Sequence, residues 1–308
     1  MITSVFGKSN PVNYVVVTLS VIVFFVANEW QLVALKETSF SFLASFLKIL
    51  LLIASLFLAN FITKRNALTK DNAYVFLYLG FFLILIPQCL SDLRLIAANF
   101  FVFLAFRRIL SIKSLTATKE KIFDASLWIF VASLFHFWCI LFLLLVFVAI
   151  FFHLASDYRS WFLPFLAFFT VFIIYAAFNT ITENHDDNIY LQSRIYLNFQ
   201  YFESKVDSAV LVLFLIFSIA LLVFYLLGNS KKPTNTKNNI FKIVLTWVIG
   251  IIILVISPQK TNALLLFTLL PTSIFAADFL ENSPSNWFKE FVTWVFVLVA
   301  VMLFVFRN

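Results

Sequence analysis

Glycine, cysteine, histidine and charge are all scarce in this chain, and each scarcity closes off a class of function. Four glycines in 308 residues leave no glycine-rich loop whose backbone N–H groups could cradle a nucleotide phosphate. The two cysteines, Cys89 and Cys139, form no CxxC motif. Both fall near one predicted membrane face, which permits a disulfide, although two small apolar side chains in packed helices is the preferred reading. His136, His153 and His185 are too scattered in sequence for a recognisable metal site, so no metal and no cofactor is expected. Neither H-E-x-x-H nor G-x-S-x-G occurs. Without a complete catalytic motif, the residues alone leave open whether this is an enzyme.

Charged residues make up 12% of the chain and hydrophobic ones 63%, with a mean hydropathy of +1.00. A soluble domain is about 25% charged and about 45–50% apolar. A polar shell could not cover this much apolar surface, so the excess faces lipid. The expected fold is therefore all-α, a polytopic transmembrane bundle. Forty-three phenylalanines and few glycines point to packing through large side chains rather than small-residue contacts. No cleavage site follows MITSVFGKSN, and Val15 to Ala27 reads as a retained first span. The net charge of +7 sits in short loops and not on a basic surface domain, which argues against nucleic-acid binding.

A hydrocarbon core of about 30 Å needs roughly 20 helical residues. That ruler places spans near 12–28, 39–62, 72–88, 94–110, 161–178, 208–228, 241–257, 263–280 and 288–306. The apolar run from Asp124 to Leu154 would be about 46 Å long as one helix. It reads either as one tilted helix or as a hairpin of two.

Loop charges decide between these. Lys64, Arg65 and Lys70 form one basic loop; Arg107, Arg108, Lys113, Lys119 and Lys121 a second; Lys231, Lys232, Lys237 and Lys242 a third. The positive-inside rule puts all three on the cytoplasmic side, so an even number of crossings must separate them. Only a hairpin satisfies the count between Lys121 and Lys231, with its break near Leu134-Phe135-His136-Phe137-Trp138. The expectation is about 11 spans in a single membrane domain, residues 1–308, with a re-entrant or short-helix hairpin near residue 136. The location expected is a bacterial inner membrane with a cytoplasmic N-terminus.

The opposite face then carries Glu29 to Thr38, Pro87 to Leu93, the His136 tip, residues 179–207 and Pro258 to Asn262. The 179–207 loop holds Glu183, Asp186, Asp187, Glu203 and Asp207 against Arg194 and Lys205, consistent with an outer side. Its Ile189, Tyr190, Ile195, Tyr196, Phe199 and Phe202 fall in helical register, suggesting an amphipathic helix at the interface. GNSKKPTNTKNN reads as a mobile linker.

Charges at membrane depth cost a few kcal/mol each unless paired or facing a cavity. Arg94, with Asp92 beside it and Asn99 deeper in the same span, is either a helix-end residue reaching headgroups or an anion site. Lys48, midway along the second span, either snorkels, which needs a long reach from there, or is buried against a carboxylate, the pair being the preferred reading with its partner open. Asp278, near a basic end, reads as solvated, and Pro271 as a kink. The outer charges Glu183, His185, Asp186, Asp187, Arg194 and Lys260 together offer carboxylates for base work and cations for phosphate.

The stretch SDLRLIAANFFVFLAFRRILSIKS, followed by KEKIFDASLWIFVASLFHFWCILFLLLVF, resembles polysaccharide polymerases of the Wzy or EpsG type. The shared features are Arg94 opening a span, the basic turn Arg107-Arg108, and a helix ending in Ala132-x-x-x-His136. SVFGKSNPVNY and SPQKTNALLLFTLLPTSIFAADFLE also look like a Bacteroidota multi-span family of unknown function. The polymerase resemblance implies a glycosyltransferase-like protein acting on polyprenyl-diphosphate-linked glycan at the periplasmic face. Arg94, Arg194 and Lys260 would bind the anionic diphosphate, His136, Glu183 and Asp186 would serve catalysis, and Asp92 and Asn99 would support them. The external loop departs from that family in holding only Arg194 where many members carry an arginine-rich pair of motifs. The alternatives are a non-catalytic subunit partnering other inner-membrane proteins, and a transporter or lipid flippase, which the absence of inverted repeats disfavours. Membrane lipid is an expected partner in each case.

Overall fold

The computed structural model describes residues 5–34, 41–182, 205–229 and 234–283, with isolated positions at 195, 287, 289, 290, 293 and 294. Ten α-helices are traced among them, and no strand. They are α1 Pro11–Ala34, α2 Phe42–Arg65, α3 Tyr74–Leu85, α4 Leu93–Ser111 and α5 Thr118–Phe135. After these come α6 Leu143–Leu154, α7 Tyr158–Thr182, α8 Lys205–Asn229, α9 Thr234–Ile256 and α10 Leu266–Asn282. Eight helical segments among the described residues are long and apolar enough to cross a membrane, so the protein is membrane-embedded. The count of eleven is not reached. α3 is short, α5 carries charge in its first turns, and the expected eleventh span, 288–306, lies almost wholly outside the described residues.

Local chemistry explains the helix ends. α4 starts where the Asp92 side chain accepts from the Arg94 and Leu95 backbone N–H groups, satisfying two of the orphan donors of a first turn. α3 stops before Pro87, whose ring forbids continuation, and a 3₁₀ turn Pro87–Leu90 follows. α2 ends in Lys64 and Arg65, which complement the carbonyl end of the helix. Leu115 and Ala117 take left-handed backbone (φ 54° and 47°), folding the chain sharply from α4 into α5.

The long apolar run does double back. α5 ends at Phe135, His136 adopts extended backbone (φ −143°, ψ 108°), and a 3₁₀ segment Phe137–Phe142 leads into α6. α5 begins beside the 3₁₀ turn Ile112–Ser114, and α6 packs against that same turn as well as against α5. Near the C-terminus of α6, His153 reaches Lys242, which feels the charge of Lys113 in the turn. Both ends of the hairpin therefore lie at one end of the bundle and His136 at the other.

Further bonds align the remaining elements with these two ends. At the basic end, Lys113 Nζ donates to the Asn66 carbonyl (3.2 Å). There too the Glu281 carboxylate accepts from the Lys70 backbone N–H (3.0 Å) and Asn72 Nδ2 (2.6 Å), pinning the α2–α3 loop to the end of α10. At the opposite end, Gln88 Nε2 donates to Asp207 Oδ1 (2.7 Å) and Asn262 Nδ2 to the Asp207 carbonyl (3.1 Å).

The core is built around α10 and the 3₁₀ turn Asn262–Leu265 before it; this span is 94% buried, packed by α3, α8 and α9. Protein on all sides lets it carry Thr268, Thr272 and Ser273, each returning its hydroxyl to a carbonyl of the preceding turn. α9 approaches it most closely at Gly250, where a Cβ would meet Thr268 Cγ2 at 2.6 Å and the Phe267 backbone at 3.2 Å. Elsewhere the expected large rings fill the core, with Phe76, Tyr78, Phe82, Phe106, Phe142, Phe267 and Phe275 fully buried.

Two readings of single residues are corrected. Asp278 is not solvated: it is 4% exposed, with Asn229 Nδ2 (3.2 Å) and Asn282 Nδ2 (3.0 Å) donating to its Oδ2. Glu29 is not in a loop, because α1 continues to Ala34.

Candidate functional site

The end opposite the basic loops has an unusual backbone. Three short 3₁₀ segments, Pro87–Leu90, Phe137–Phe142 and Asn262–Leu265, interrupt or open helices there, and the first and third pack on each other. A 3₁₀ turn leaves poorer hydrogen-bond geometry than an α-turn and often marks functional places. Buried polar atoms accompany these breaks: His136 Nε2, Trp138 Nε1 and Asn262 Oδ1 have no hydrogen-bond partner. Each such atom costs about 1–3 kcal/mol relative to a satisfied one.

The residues singled out from sequence distribute as follows. His136 is 6% exposed and lies face to face with the Phe267 ring (centroids 5.7 Å apart). It sits at the reversal, outside both neighbouring helices, where burial pushes its imidazole down to about 4 against the opposing pull of Asp92. The ring is therefore neutral near pH 7 and could accept a proton at Nε2, but only after local opening. Asp92 is committed to capping α4, while staying within electrostatic range of His136. Arg94 is exposed, and its guanidinium has no hydrogen bond or ion pair with a described residue. Asn99 is buried with an unpartnered Oδ1. Lys260 is half-buried and donates to the Val255 carbonyl (2.8 Å); burial lowers its ammonium below the ordinary value. Glu183, Asp186 and Arg194 lie outside the described residues, as does nearly all of the predicted interfacial helix. Asp92, Arg94, His136 and Lys260 thus share one end of the bundle, with only Asp92 and His136 in evident electrostatic contact.

A feature not anticipated in full lies between α1 and α2 at that same end. Lys48 does have a carboxylate partner, Glu29, at 2.9 Å, and Ser45 Oγ donates to the other Glu29 oxygen at 2.8 Å. Both charged side chains are about nine-tenths buried. Glu29 and Ser45 line an apolar groove of about 450 Å³ together with Phe25, Trp30, Phe42, Phe46 and Ile49. α1 also packs on the Pro87–Leu90 turn, so the groove adjoins the polar end. The Lys48 signal was present in sequence; Glu29 was hidden by placing the helix end one turn too early. Gln88 and Asp207, which tie α8 to the Pro87–Leu90 turn, were missed because nothing local marks them.

A family model covers this whole assembly, matching residues 10–308. The chain belongs to the family of unknown function DUF6427. No curated protein and no solved structure matches it. The DUF6427 match runs through all ten traced helices, the central helix α10 and the hairpin included.

Proposed function

We propose that this DUF6427 protein acts on a polyprenyl-diphosphate-linked glycan at the end of the bundle opposite its basic loops, as a glycosyltransferase or polymerase. The apolar groove of about 450 Å³ beside that polar end carries the reading, since a lipid-linked sugar needs a dry slot for its tail next to charged groups for its head. The tail would lie along Phe25, Trp30 and Phe46. Arg94, unpaired and exposed, has the fork of donors that a diphosphate takes; Arg194 and Lys260 would add charge. In the transfer, an acceptor hydroxyl attacks the anomeric carbon, the lipid diphosphate leaves with the bonding electron pair, and the hydroxyl proton passes to a base. Glu183, Asp186 or an uncovered His136 would be that base. The positive-inside rule puts this end in the periplasm of a bacterial inner membrane.

The test is Arg94→Ala, with surface glycan length read on gels and protein level checked by immunoblot. Glycan shortened roughly tenfold or more in yield supports the reading. Unchanged glycan from normally accumulated protein sinks it.

One observation favours a second reading, a non-catalytic subunit of an inner-membrane complex. Among the described residues α7 packs mainly against α5 and α6 and leaves Phe162, Phe165, Phe169, Phe172 and Ile173 exposed. Stoichiometric recovery of a second membrane protein in mild detergent, lost when these rings become alanine, would support that reading over catalysis.

A further inference from the structure

The basic end holds a charge arrangement that topology does not account for. A lysine retained by the positive-inside rule sits in a loop or reaches to headgroups. Lys242 does neither, being 0% exposed on the third turn of α9. Among the described residues its side-chain hydrogen-bond partner is His153 Nε2 at 3.2 Å, and the charge it feels is another cation, Lys113. Two acids on neighbouring segments are committed elsewhere: Asp124 pairs with Arg108 at 2.8 Å, and Asp157 caps the start of α7 through the Arg159 N–H and Ser160 Oγ. A buried ammonium without a carboxylate is costly, and a bound anion would offset that cost.

The hydrogen bond shows where that compensation would bind. An ammonium can only donate, so His153 Nε2 accepts and the ring proton resides on Nδ1. Lys242 thereby locks His153 as an outward donor, the inverse of a carboxylate that orients a histidine as a base. His153 is only half-buried, in the last turn of α6, and Lys113 is exposed in the Ile112–Ser114 turn that packs on α6, where its Nζ donates to the Asn66 carbonyl. The group of Lys242, His153 and Lys113 presents donors and positive charge, near the ends of the candidate spans Phe137–Leu154 and Lys237–Ile256.

We propose that His153 Nδ1 and Lys113 Nζ bind a phosphate group, with Lys242 behind them as a buried counter-charge. The phosphate would be that of an anionic phospholipid headgroup or of a free phosphate. This site is at the opposite end of the bundle from the proposed glycan site and does not depend on it.

The test uses the full chain, delipidated in a neutral detergent, with thermal unfolding followed on adding dioleoylphosphatidylglycerol, dioleoylglycerol or inorganic phosphate. Phosphatidylglycerol is expected to raise the midpoint saturably, and dioleoylglycerol, with the same tails but no phosphate, to do so far less. If inorganic phosphate alone reproduces the rise, the ligand is the free anion; if only the lipid does, it is the headgroup. His153→Leu and Lys113→Gln should weaken the response about tenfold or more, whereas His153→Gln, which can accept from Lys242 and still donate outward, should retain it. Lys242→Met should also abolish it; if that variant fails to fold, the other two carry the test. Equal responses to both lipids, no response to any phosphate, or an unchanged response in His153→Leu and Lys113→Gln would overturn the proposal.

Discussion

Replacing Lys48 with methionine removes one half of an ion pair that neither water nor a third charge can easily repair. Lys48 Nζ and Glu29 Oε1 are 2.9 Å apart, with side-chain exposures of 13% and 11%. In Lys48→Met the Glu29 carboxylate keeps Ser45 Oγ at 2.8 Å as a donor but loses its counter-charge. Breaking a buried pair on one side costs about 3–5 kcal/mol. At roughly 2 °C per kcal/mol for a chain of this size, the midpoint should fall by about 6–10 °C in detergent. Replacing both partners, Glu29→Gln with Lys48→Met, leaves no charge to strand and should recover most of the loss. A fluorescence-detected thermal scan of wild type, both singles and the double provides the full cycle. Equal losses in Lys48→Met and the double variant would refute the argument, because they would mean that shape rather than charge holds the helices together.

Three more outcomes follow from the packing. Gly250→Ala should destabilise by about 1–3 kcal/mol, since its Cβ would press on Thr268 Cγ2 at 2.6 Å and the Phe267 backbone at 3.2 Å; Gly228→Ala, meeting Asn282 Nδ2 at 3.6 Å and Asp278 Oδ2 at 3.8 Å in ordinary contact, should be nearly neutral in thermal scans. Asp278→Ala removes the acceptor that Asn282 Nδ2 and Asn229 Nδ2 share, leaving Asn229 its bond to the Tyr225 carbonyl, and should cost roughly 1–3 kcal/mol by the same measurement, with Asp278→Asn costing less. His136 is held near 4 in the fold, below its value of about 6.5 when unfolded, so its neutral form contributes stability that is present above about pH 6.5 and lost as pH falls toward 4. Midpoints measured from pH 7 to 4.5 should therefore decline, and His136→Phe should flatten that part of the slope.

What was legible beforehand divides along a physical line. Hydropathy identifies segments that avoid water, and it placed the spans containing α1, α2, α4, α7, α8, α9 and α10 within a few residues. Charge placement then required the reversal at His136, which α5, α6 and the Lys242–His153 contact bear out. Hydropathy does not distinguish lipid from protein as the apolar neighbour. α7, with a hydropathy of 2.1 and 17% burial, and the α10 span, at 1.9 and 94%, look alike as strings although one faces lipid and the other is the core. Asp278 was misread for that reason: near a helix end it would be wet on a peripheral helix, and it is dry on the central one. Lys242 was counted as a topological charge because a basic loop and a buried lysine one turn further in share the same local sequence. Glu29 needed a helix boundary known to within a turn, the least certain element of any such reading.

The account turns on the reversal at His136, and cysteine accessibility tests it most directly. In a background with Cys89 and Cys139 replaced, both being buried and unpaired, single cysteines at Lys113, Ser156 and Gln259 would be challenged in intact cells with a membrane-impermeant maleimide. The fold predicts that Lys113→Cys and Ser156→Cys share one side and Gln259→Cys takes the other. Labelling that separates positions 113 and 156 across the bilayer would contradict it.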